Sequence, residues 1–357
     1  LLLNEMLKSY NSFLLLAIPF FMLAANLMNS AGITEKLVNL SRALVGHLPG
    51  GLGHVSVLVS MLFAGISGSS TAEAAGVGGV PIPAMKKQGY DTPFAVSLIA
   101  CAAVLGVIIP PSILMVVWGG VISVSIGGLF VAGVLPGVLM ALSLMVTVYV
   151  YAKRRGYPVH PRVTWRELLS VTVAALLLGV LIYRTLDLAQ LRHTFYDSAR
   201  FAGIALFCIG TASAFGWILA YFRIPQLVVT AVASWGGGIT SVGFITAAAF
   251  LFIGCFIDAI PAIIIVGTIL APLADKVGMH PIHFAIIGVI SIAYGLVTPP
   301  YGLCLMIVCQ VGGIKIKEAV RDTAILFVPL LAVLLIVILF PDLLLWLPRT
   351  LMPKFVK

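Results

Sequence analysis

Two long apolar stretches of this sequence are each interrupted by a pair of prolines. Pro110–Pro111 divides the stretch 93–121, and Pro299–Pro300 divides the stretch 281–311. Each proline lacks an amide donor and disfavours helical backbone at the residue before it. Each stretch therefore predicts a helix that is broken near its middle.

The composition indicates which solvent surrounds these broken helices. The chain has 357 residues, of which 61% are hydrophobic and 9% are charged, whereas soluble domains carry about 25% charged residues. The bilayer is the solvent that such a chain requires, and irregular backbone survives there only where it lines a polar cavity or binds an ion. The net charge of +9 does not indicate nucleic-acid binding, because the basic residues cluster in short loops, as membrane topology requires.

Helix-breaking residues recur along the chain at a fixed distance. Five of them reappear at an offset of 189: Pro83, Gly89, Gly106, Pro110 and Pro111 correspond to Pro272, Gly278, Gly295, Pro299 and Pro300. The sequence therefore predicts two repeats, 1–152 and 199–357, joined by a linker 153–198 that shows one apolar segment. The predicted fold class is an all-α membrane protein.

Each repeat is predicted to contain a span, an arm helix along the membrane, a re-entrant hairpin, a broken helix and a second span. The first spans are 12–30 and 199–220. The last three elements are 51–85, 93–121 and 129–151 in the first repeat, and 240–275, 281–311 and 323–347 in the second. A span needs about 20 apolar residues. The broken helix and two spans cross the membrane, so each repeat ends on the side opposite its start. If the second repeat is inverted, most of the 21 Lys and Arg residues become cytoplasmic.

Inversion requires an even number of crossings between the repeats, and the linker offers one candidate, 171–183. Either 171–183 does not span, or about 20 residues, the length of one span, are missing near 165–172, and we expect the second. The start at Leu1 gives the same expectation for segments before residue 1.

The hairpin tips and proline breaks are predicted to converge at the bilayer midplane. The N-termini of half-helices favour anions there, and unwound carbonyls and hydroxyls are hard ligands that suit sodium. A transition metal would prefer Cys or His. No cofactor is therefore expected, sodium is the coupling ion, and no catalytic residues are assigned.

Several motifs resemble the large subunit of TRAP transporters, the tripartite ATP-independent periplasmic transporters. They are Leu48–Gly51, Ile66–Ala75, Ile82–Asp91, Ile108–Ile113 and Gly295–Pro300. The resemblance implies an elevator-type, sodium-coupled importer of a small organic anion such as a dicarboxylate or sugar acid. It also implies two partners, a small four-helix membrane subunit and a periplasmic substrate-binding protein, and a place in the bacterial inner membrane. The family usually has further helices before residue 1 and two spans between the repeats.

The resemblance also implies two sodium sites. The first would use Ser67, Ser69, Gly106, Ile109 and Pro111, and the second Gly254, Gly295, Thr298 and Tyr301. Gly106 and Ile109 precede their proline pair by the same distance as Gly295 and Thr298, which supports this assignment. An acid inside a membrane segment is a functional candidate. Asp258 therefore joins the candidates for substrate contact, which are Ser70, Ser112, Asp258 and Pro300.

Three alternatives stay open at this point. One is a divalent-anion/sodium symporter that needs no binding protein. Another is a rhomboid-like intramembrane serine protease, because residues 65–68 read Gly-Ile-Ser-Gly; it would need a histidine base beside Ser67, and His54 is the nearest in sequence. The third is a passive channel, which would not need two nests for sodium.

Overall fold

The computed structural model describes residues 33–157, 159, 188–233 and 237–353, with positions 20 and 23. All regular elements of these residues are helices. The predicted span 171–183 and the expected insertion near 165–172 lie outside the described residues. So does all of the stretch 12–30 except positions 20 and 23.

The first half contains seven described α-helices. They are α1 (Ile33–Val45), α2 (Gly51–Ser67), α3 (Ser70–Gly78), α4 (Pro81–Lys87), α5 (Thr92–Ala103), α6 (Ile113–Ile122) and α7 (Ile126–Arg155). A 3₁₀ turn, Val104–Val107, leads from α5 into the Pro110–Pro111 break.

The second half contains eight described α-helices. They are α8 (Leu188–Tyr221), α9 (Ile224–Ala233), α10 (Ile239–Gly254), α11 (Ala259–Lys276), α12 (Pro281–Gly295), α13 (Leu303–Gly312), α14 (Ile316–Leu339) and α15 (Pro341–Leu351). The segment 296–302 between α12 and α13 is non-helical and contains the second proline pair. Both proline pairs therefore interrupt helices, as the sequence predicts.

Corresponding helices of the two halves begin at the spacing of the sequence repeat. Helices α3 and α11 begin 189 residues apart, and so do α5 and α12. Helices α4 and α11 also end 189 residues apart, at Lys87 and Lys276. The helix boundaries thus follow the same period as the glycines and prolines.

Equivalent helices of the two halves run in opposite directions. Helix α7 packs on α14, and Arg155 at the end of α7 lies 3.4 Å from Asp322 near the start of α14. Helix α12 runs antiparallel to α14, because His283 contacts the carbonyl of Val337 and Tyr294 that of Leu330. This is the relation that inverted repeats require, although the orientation of each repeat in a membrane stays a prediction.

Helix α5 begins at the same end of the molecule as α14, because Arg155 pairs with Asp91, just before α5, and with Asp322 near the start of α14. The two helices pack side by side and therefore run in the same direction, opposite to α12, the counterpart of α5 in the repeat. The hydroxyl of Ser97 donates to the carbonyl of Ala319 at 2.9 Å, and Thr323 donates to Ser97 at 2.9 Å. These buried bonds fix the first broken helix to the last long helix of the second half.

The two halves interlock around one shared core. Trp118 of α6 contacts Phe250 of α10 and Phe284 of α12, with ring centroids 5.2 and 5.6 Å apart. Helix α3 packs on α13, and α11 packs on α6. Each hairpin therefore contacts the broken helix of the other half, which brings both breaks into one region.

Three of the described helices, α7, α11 and α14, are long and apolar enough to cross a membrane. Helix α7 covers the predicted span 129–151. The predicted span 323–347 has the wrong bounds, because α14 begins at Ile316 and ends at Leu339, and Pro341 begins the separate helix α15. Helix α11 is the second arm of the predicted hairpin 240–275, so its length alone does not decide between a re-entrant and a crossing segment. Helix α8 contains the predicted span 199–220 and begins earlier, at Leu188.

Candidate ion and substrate site

The tip of the first hairpin is bonded to the first proline break. We call residues 67–70 with 104–112 the first junction. The amide of Ile113 donates to the carbonyl of Gly68 at 3.1 Å. Gly68 has a φ of 64°, and a Cβ atom there would lie 2.7 Å from the carbonyl oxygen of Pro111. The left-handed backbone and the close approach both require glycine.

Gly106 lies directly against the hairpin tip. A Cβ atom built on Gly106 would be 3.0 Å from the carbonyl oxygen of Ser69 and 2.5 Å from Oε2 of Glu73. Two residues predicted to share a sodium site, Ser69 and Gly106, are therefore in contact. The atom of Ser69 that faces Gly106 is its backbone carbonyl oxygen, which is the kind of ligand that a broken helix exposes.

The serines of the first junction differ in how their hydroxyls are used. Ser67 and Ser70 are buried, and neither hydroxyl has a hydrogen-bond partner among the described residues. The hydroxyl of Ser69 accepts from the amide of Ala72 at 3.4 Å and lies 3.0 Å from that of Thr71. Buried hydroxyls are rarely left unpaired, so Ser67 and Ser70 are free to meet a ligand.

Ser112 closes the break and begins α6. Its hydroxyl donates to the carbonyl of Val107 at 2.6 Å and accepts from the amide of Met115 at 3.3 Å. This is the N-cap role that serine favours. The hydroxyl is engaged in the fold, and the substrate contact of Ser112 stays a prediction.

Helix α7 supports the first break through two glycines one turn apart. A Cβ atom on Gly133 would lie 2.5 Å from the carbonyl oxygen of Ile108, and one on Gly137 would lie 2.5 Å from Cγ1 of Ile109. Small residues allow such close approach between membrane helices. The side chain of Ile109 thus packs on α7, which leaves its backbone as the part able to bind an ion.

The second junction comprises residues 254–258 and 295–301. It is built on contact between two glycines. A Cβ atom on Gly295 would lie 2.5 Å from the carbonyl carbon of Gly254, and one on Gly254 would lie 3.2 Å from Cα of Gly295. The hairpin tip and the break therefore touch through their backbones, as at the first junction.

Hydrogen bonds hold the second break in place. The amide of Tyr301 donates to the carbonyl of Cys255 at 3.1 Å, while its side chain is 39% exposed. The hydroxyl of Thr298 donates to the carbonyl of Tyr294 at 2.9 Å. That bond leaves the oxygen lone pairs of Thr298 able to accept or to bind a cation.

Two substrate candidates are exposed at the second junction. Asp258 directly precedes α11, and Pro300 is the second residue of its proline pair. The peptide bonds within both proline pairs are cis. Neither candidate is enclosed by the fold, so both can be reached from outside the helices.

The two junctions adjoin each other. Cys304, in the first turn of α13, lies within electrostatic range of both Glu73 and Asp258. The 3₁₀ turn that contains Gly106 contacts α12, which ends in Gly295. The predicted residues of both sodium sites therefore belong to one region, and Glu73 and Cys304 join them there. The site residues predicted from the sequence do not include Glu73, although an acid inside a membrane segment is a functional candidate.

This architecture defines an integral membrane transporter, and comparison with known proteins gives its family. The family model "Tripartite ATP-independent periplasmic transporter, DctM component" matches residues 1–174 and 169–343. The chain belongs to this family, the large permeases of TRAP transporters, as the sequence motifs predict.

Several curated relatives match almost the whole chain. The large permease protein SiaM of a sialic acid TRAP transporter from Vibrio cholerae is 34% identical over 97% of this chain and 88% of its own length. The C4-dicarboxylate permease DctM of Pseudomonas aeruginosa is 33% identical over the same shares. An uncharacterized protein, YgiK of Salmonella typhimurium, is 36% identical over 98% of this chain and 88% of its own length.

The family identifies a transporter, not an enzyme, and the protease alternative is not favoured. The structure agrees at His54, whose Nε2 atom lies 3.1 Å from the carbonyl oxygen of Pro49. Ser67 has no hydrogen-bond partner, so His54 is not its base. The symporter without a binding protein is not favoured either, because the matched family is tripartite.

Proposed function

We propose that this protein imports a small organic anion together with sodium. The observation that carries the proposal is the pair of adjoining junctions, where helix breaks expose backbone oxygens beside buried hydroxyls. At the first junction Ser67 and Ser70 have unpartnered hydroxyls. Such oxygens are costly to leave unpaired in an apolar interior, and a bound cation would satisfy them.

The chemistry of the junctions favours sodium over a transition metal. Their ligands are carbonyls and hydroxyls, as hard cations prefer. The thiol of Cys255, at the second junction, donates to the carbonyl of Leu251 at 3.1 Å. This thiol is therefore already engaged in a hydrogen bond. The sodium ligands proposed are those predicted from the sequence.

An anionic substrate suits the positive ends of helices that begin at the junctions. Helices α3, α6, α11 and α13 start at Ser70, Ile113, Ala259 and Leu303. The named substrates of relatives include sialic acid, C4-dicarboxylates and 2,3-diketo-L-gulonate. We propose an organic acid of this kind, contacted by Ser70, Asp258 and Pro300.

The partners proposed follow from the tripartite family. A periplasmic binding protein would deliver the substrate, and a small four-helix membrane subunit would complete the permease in the bacterial inner membrane. In this assembly the chain supplies the path through the membrane.

Uptake into proteoliposomes tests sodium coupling. The complete transporter, with the binding protein and small subunit, is supplied with radiolabelled sialic acid, a C4-dicarboxylate or 2,3-diketo-L-gulonate. Uptake should require an inward sodium gradient and fall when choline replaces sodium. Ser67→Ala and Thr298→Ala should each raise the sodium concentration for half-maximal uptake about tenfold, which corresponds to about 1.4 kcal/mol.

The chain offers matched controls for both substitutions. Thr147→Ala removes a hydroxyl bond to the carbonyl four residues earlier, at 2.9 Å, like that of Thr298, but in α7 away from the junctions. Ser143→Ala is the serine control, because Ser143 donates to the carbonyl of Met140. If Ser67→Ala and Thr298→Ala have the sodium dependence of these controls, the site assignment is wrong.

We further propose an elevator movement, in which the hairpins and broken helices shift together past α8. The support is that α8 contacts this body mainly through α11. A Cβ atom on Gly216 of α8 would lie 3.9 Å from Oγ1 of Thr268 of α11. Cross-linking Gly216→Cys to Thr268→Cys in a chain without its native cysteines should stop uptake, and reduction should restore it. Full uptake by the cross-linked protein would exclude this movement and leave sodium coupling intact.

A further inference from the structure

Glu73 is a buried acid without a partner. It lies in α3, is 0% exposed, and neither carboxylate oxygen has a hydrogen-bond partner in the part of the chain that the structure describes. An isolated buried carboxylate costs several kcal/mol. The buried Glu73 carboxylate therefore requires a counter-charge, and the described residues do not provide one.

No described basic side chain supplies that charge. The ion pairs among the described residues involve Arg155 and Arg349, which lie at the ends of α7 and α15. The hydroxyl of Ser60 in α2 lies beside the Glu73 carboxyl. It is outside hydrogen-bond geometry and is itself unpartnered.

The carboxylate lies at the first junction. A Cβ atom on Gly106 would meet Oε2 of Glu73 at 2.5 Å and the carbonyl oxygen of Ser69 at 3.0 Å. The backbone of Glu73 is fixed there, because its amide donates to the same Ser69 carbonyl at 3.0 Å. A carboxylate and a carbonyl oxygen thus meet at one glycine, and any larger residue would fill the space that they share.

We propose that Glu73 is a ligand of the cation at the first junction and gives that site a buried negative charge. This inference rests on the proposed sodium coupling. At the repeat offset of 189 the residue that corresponds to Glu73 is Ala262, which is also fully buried. The acid of the second junction, Asp258, is exposed instead, so a buried carboxylate distinguishes the first site from the second.

A cation explains the surroundings of Glu73 better than a proton does. A protonated carboxyl needs one acceptor for its hydrogen, and neither oxygen of Glu73 has a hydrogen-bond partner. A sodium ion would be met by the carboxylate and the Ser69 carbonyl together. The positive charge of the ion would also offset the cost of burying the Glu73 carboxylate, whereas uncharged partners would leave that charge unbalanced.

Thermal unfolding of the purified complex tests the inference without transport. The complete complex is melted in sodium chloride and in choline chloride of equal concentration. Sodium should raise the midpoint of the parent and of the control Asp342→Asn, which alters an exposed pair with Arg349. The sodium-induced rise should be clearly smaller in Glu73→Gln. Without sodium, Glu73→Gln should melt no lower than the parent, because an unpaired charge has been removed.

Sodium-driven uptake gives a second measurement. The sodium concentration for half-maximal uptake should rise about tenfold in Glu73→Gln, which corresponds to about 1.4 kcal/mol. The rise should be smaller in Glu73→Asp, because aspartate keeps the negative charge. Parent-like sodium dependence of both melting and uptake in Glu73→Gln would overturn the inference and leave sodium coupling standing. A variant that changes only the pH profile would overturn it too, since the carboxyl would then hold a proton. A parent complex without sodium dependence would instead contradict the proposed function.

Discussion

The two junctions share a backbone and differ in their side chains. Each joins a hairpin tip to a proline break by one amide-to-carbonyl bond of 3.1 Å, from Ile113 in the first and from Tyr301 in the second. The first is lined by buried polar groups, including Ser67 and Glu73, whereas Asp258 and Tyr301 of the second are exposed. The difference suggests that the backbone supplies the ion-binding geometry twice, while the side chains give each site its charge and access.

The largest effects on the two junctions are expected at the glycines where a hairpin tip contacts a proline break. Gly295→Ala should destabilise the protein most, because its methyl group would meet backbone atoms of Gly254 at 2.5 and 2.6 Å. Gly106→Ala should cost less, since its nearest contact is the movable side chain of Glu73. Overpacking of this kind costs about 1–3 kcal/mol, occasionally more. Thermal unfolding of the purified complex measures both effects.

Gly203→Ala is the matched control for these substitutions. Gly203 lies in α8 with open space around its Cα, and alanine is favoured over glycine in a helix by about 0.5–1 kcal/mol. The melting midpoint of Gly203→Ala should equal or exceed that of the parent. If Gly106→Ala and Gly295→Ala melt like Gly203→Ala, the tight backbone contacts at both junctions are wrong.

The residues that directly follow the two proline pairs, Ser112 and Tyr301, should respond differently. Ser112→Ala removes a cap and a bond to the carbonyl of Val107, and should cost about 1–2 kcal/mol of unfolding free energy. Tyr301→Phe should have little effect, because Tyr301 binds Cys255 through its backbone amide. Its sodium dependence should also be unchanged if its carbonyl is the ligand. A large sodium effect in Tyr301→Phe would transfer the ligand role to the phenol.

The smallest effect is expected outside both junctions, where polar residues join α5, α7 and α14 at one end of the molecule. Arg155 pairs with Asp91 and with Asp322, and Tyr157 donates to Asp91 at 3.0 Å. Burial raises the pKa of Tyr157, so its hydroxyl stays protonated as a donor. Arg155→Gln should cost about 0.2–1 kcal/mol, as partly exposed pairs do.

The ionic character of this group of residues can be checked with salt. The difference in melting midpoint between Arg155→Gln and the parent should shrink at high ionic strength, because salt screens exposed charges. A loss as large as that of Gly295→Ala would mean that this end of the molecule, and not the junctions, limits stability.

Much of the fold could be predicted because its strongest signals are local. A proline pair breaks a helix wherever it occurs, and both breaks lie where the sequence places them. The spacing of glycines and prolines likewise predicts the offset of 189 residues between the starts of α3 and α11, and between those of α5 and α12. The predicted span 199–220 covers only the later part of α8, because the earlier residues of this helix, which include Arg192, are not apolar.

Side-chain contacts at the first break could not be predicted to the same degree. The sequence makes Ser112 a candidate for substrate contact, but its hydroxyl donates to the carbonyl of Val107 across the break. The sequence does not place Glu73 against Gly106, because this contact depends on how the hairpin packs on the break. Such contacts depend on tertiary packing, which periodicity and motif spacing do not encode.

Direct binding of radioactive sodium to the purified complex tests the central claim most directly. The parent should bind about two sodium ions at saturation, one at each broken-helix junction of the kind seen in such transporters. Ser67→Ala and Thr298→Ala should each weaken a different one of the two, while Thr147→Ala leaves both. Absence of saturable sodium binding, or binding that neither Ser67→Ala nor Thr298→Ala changes, would contradict the account.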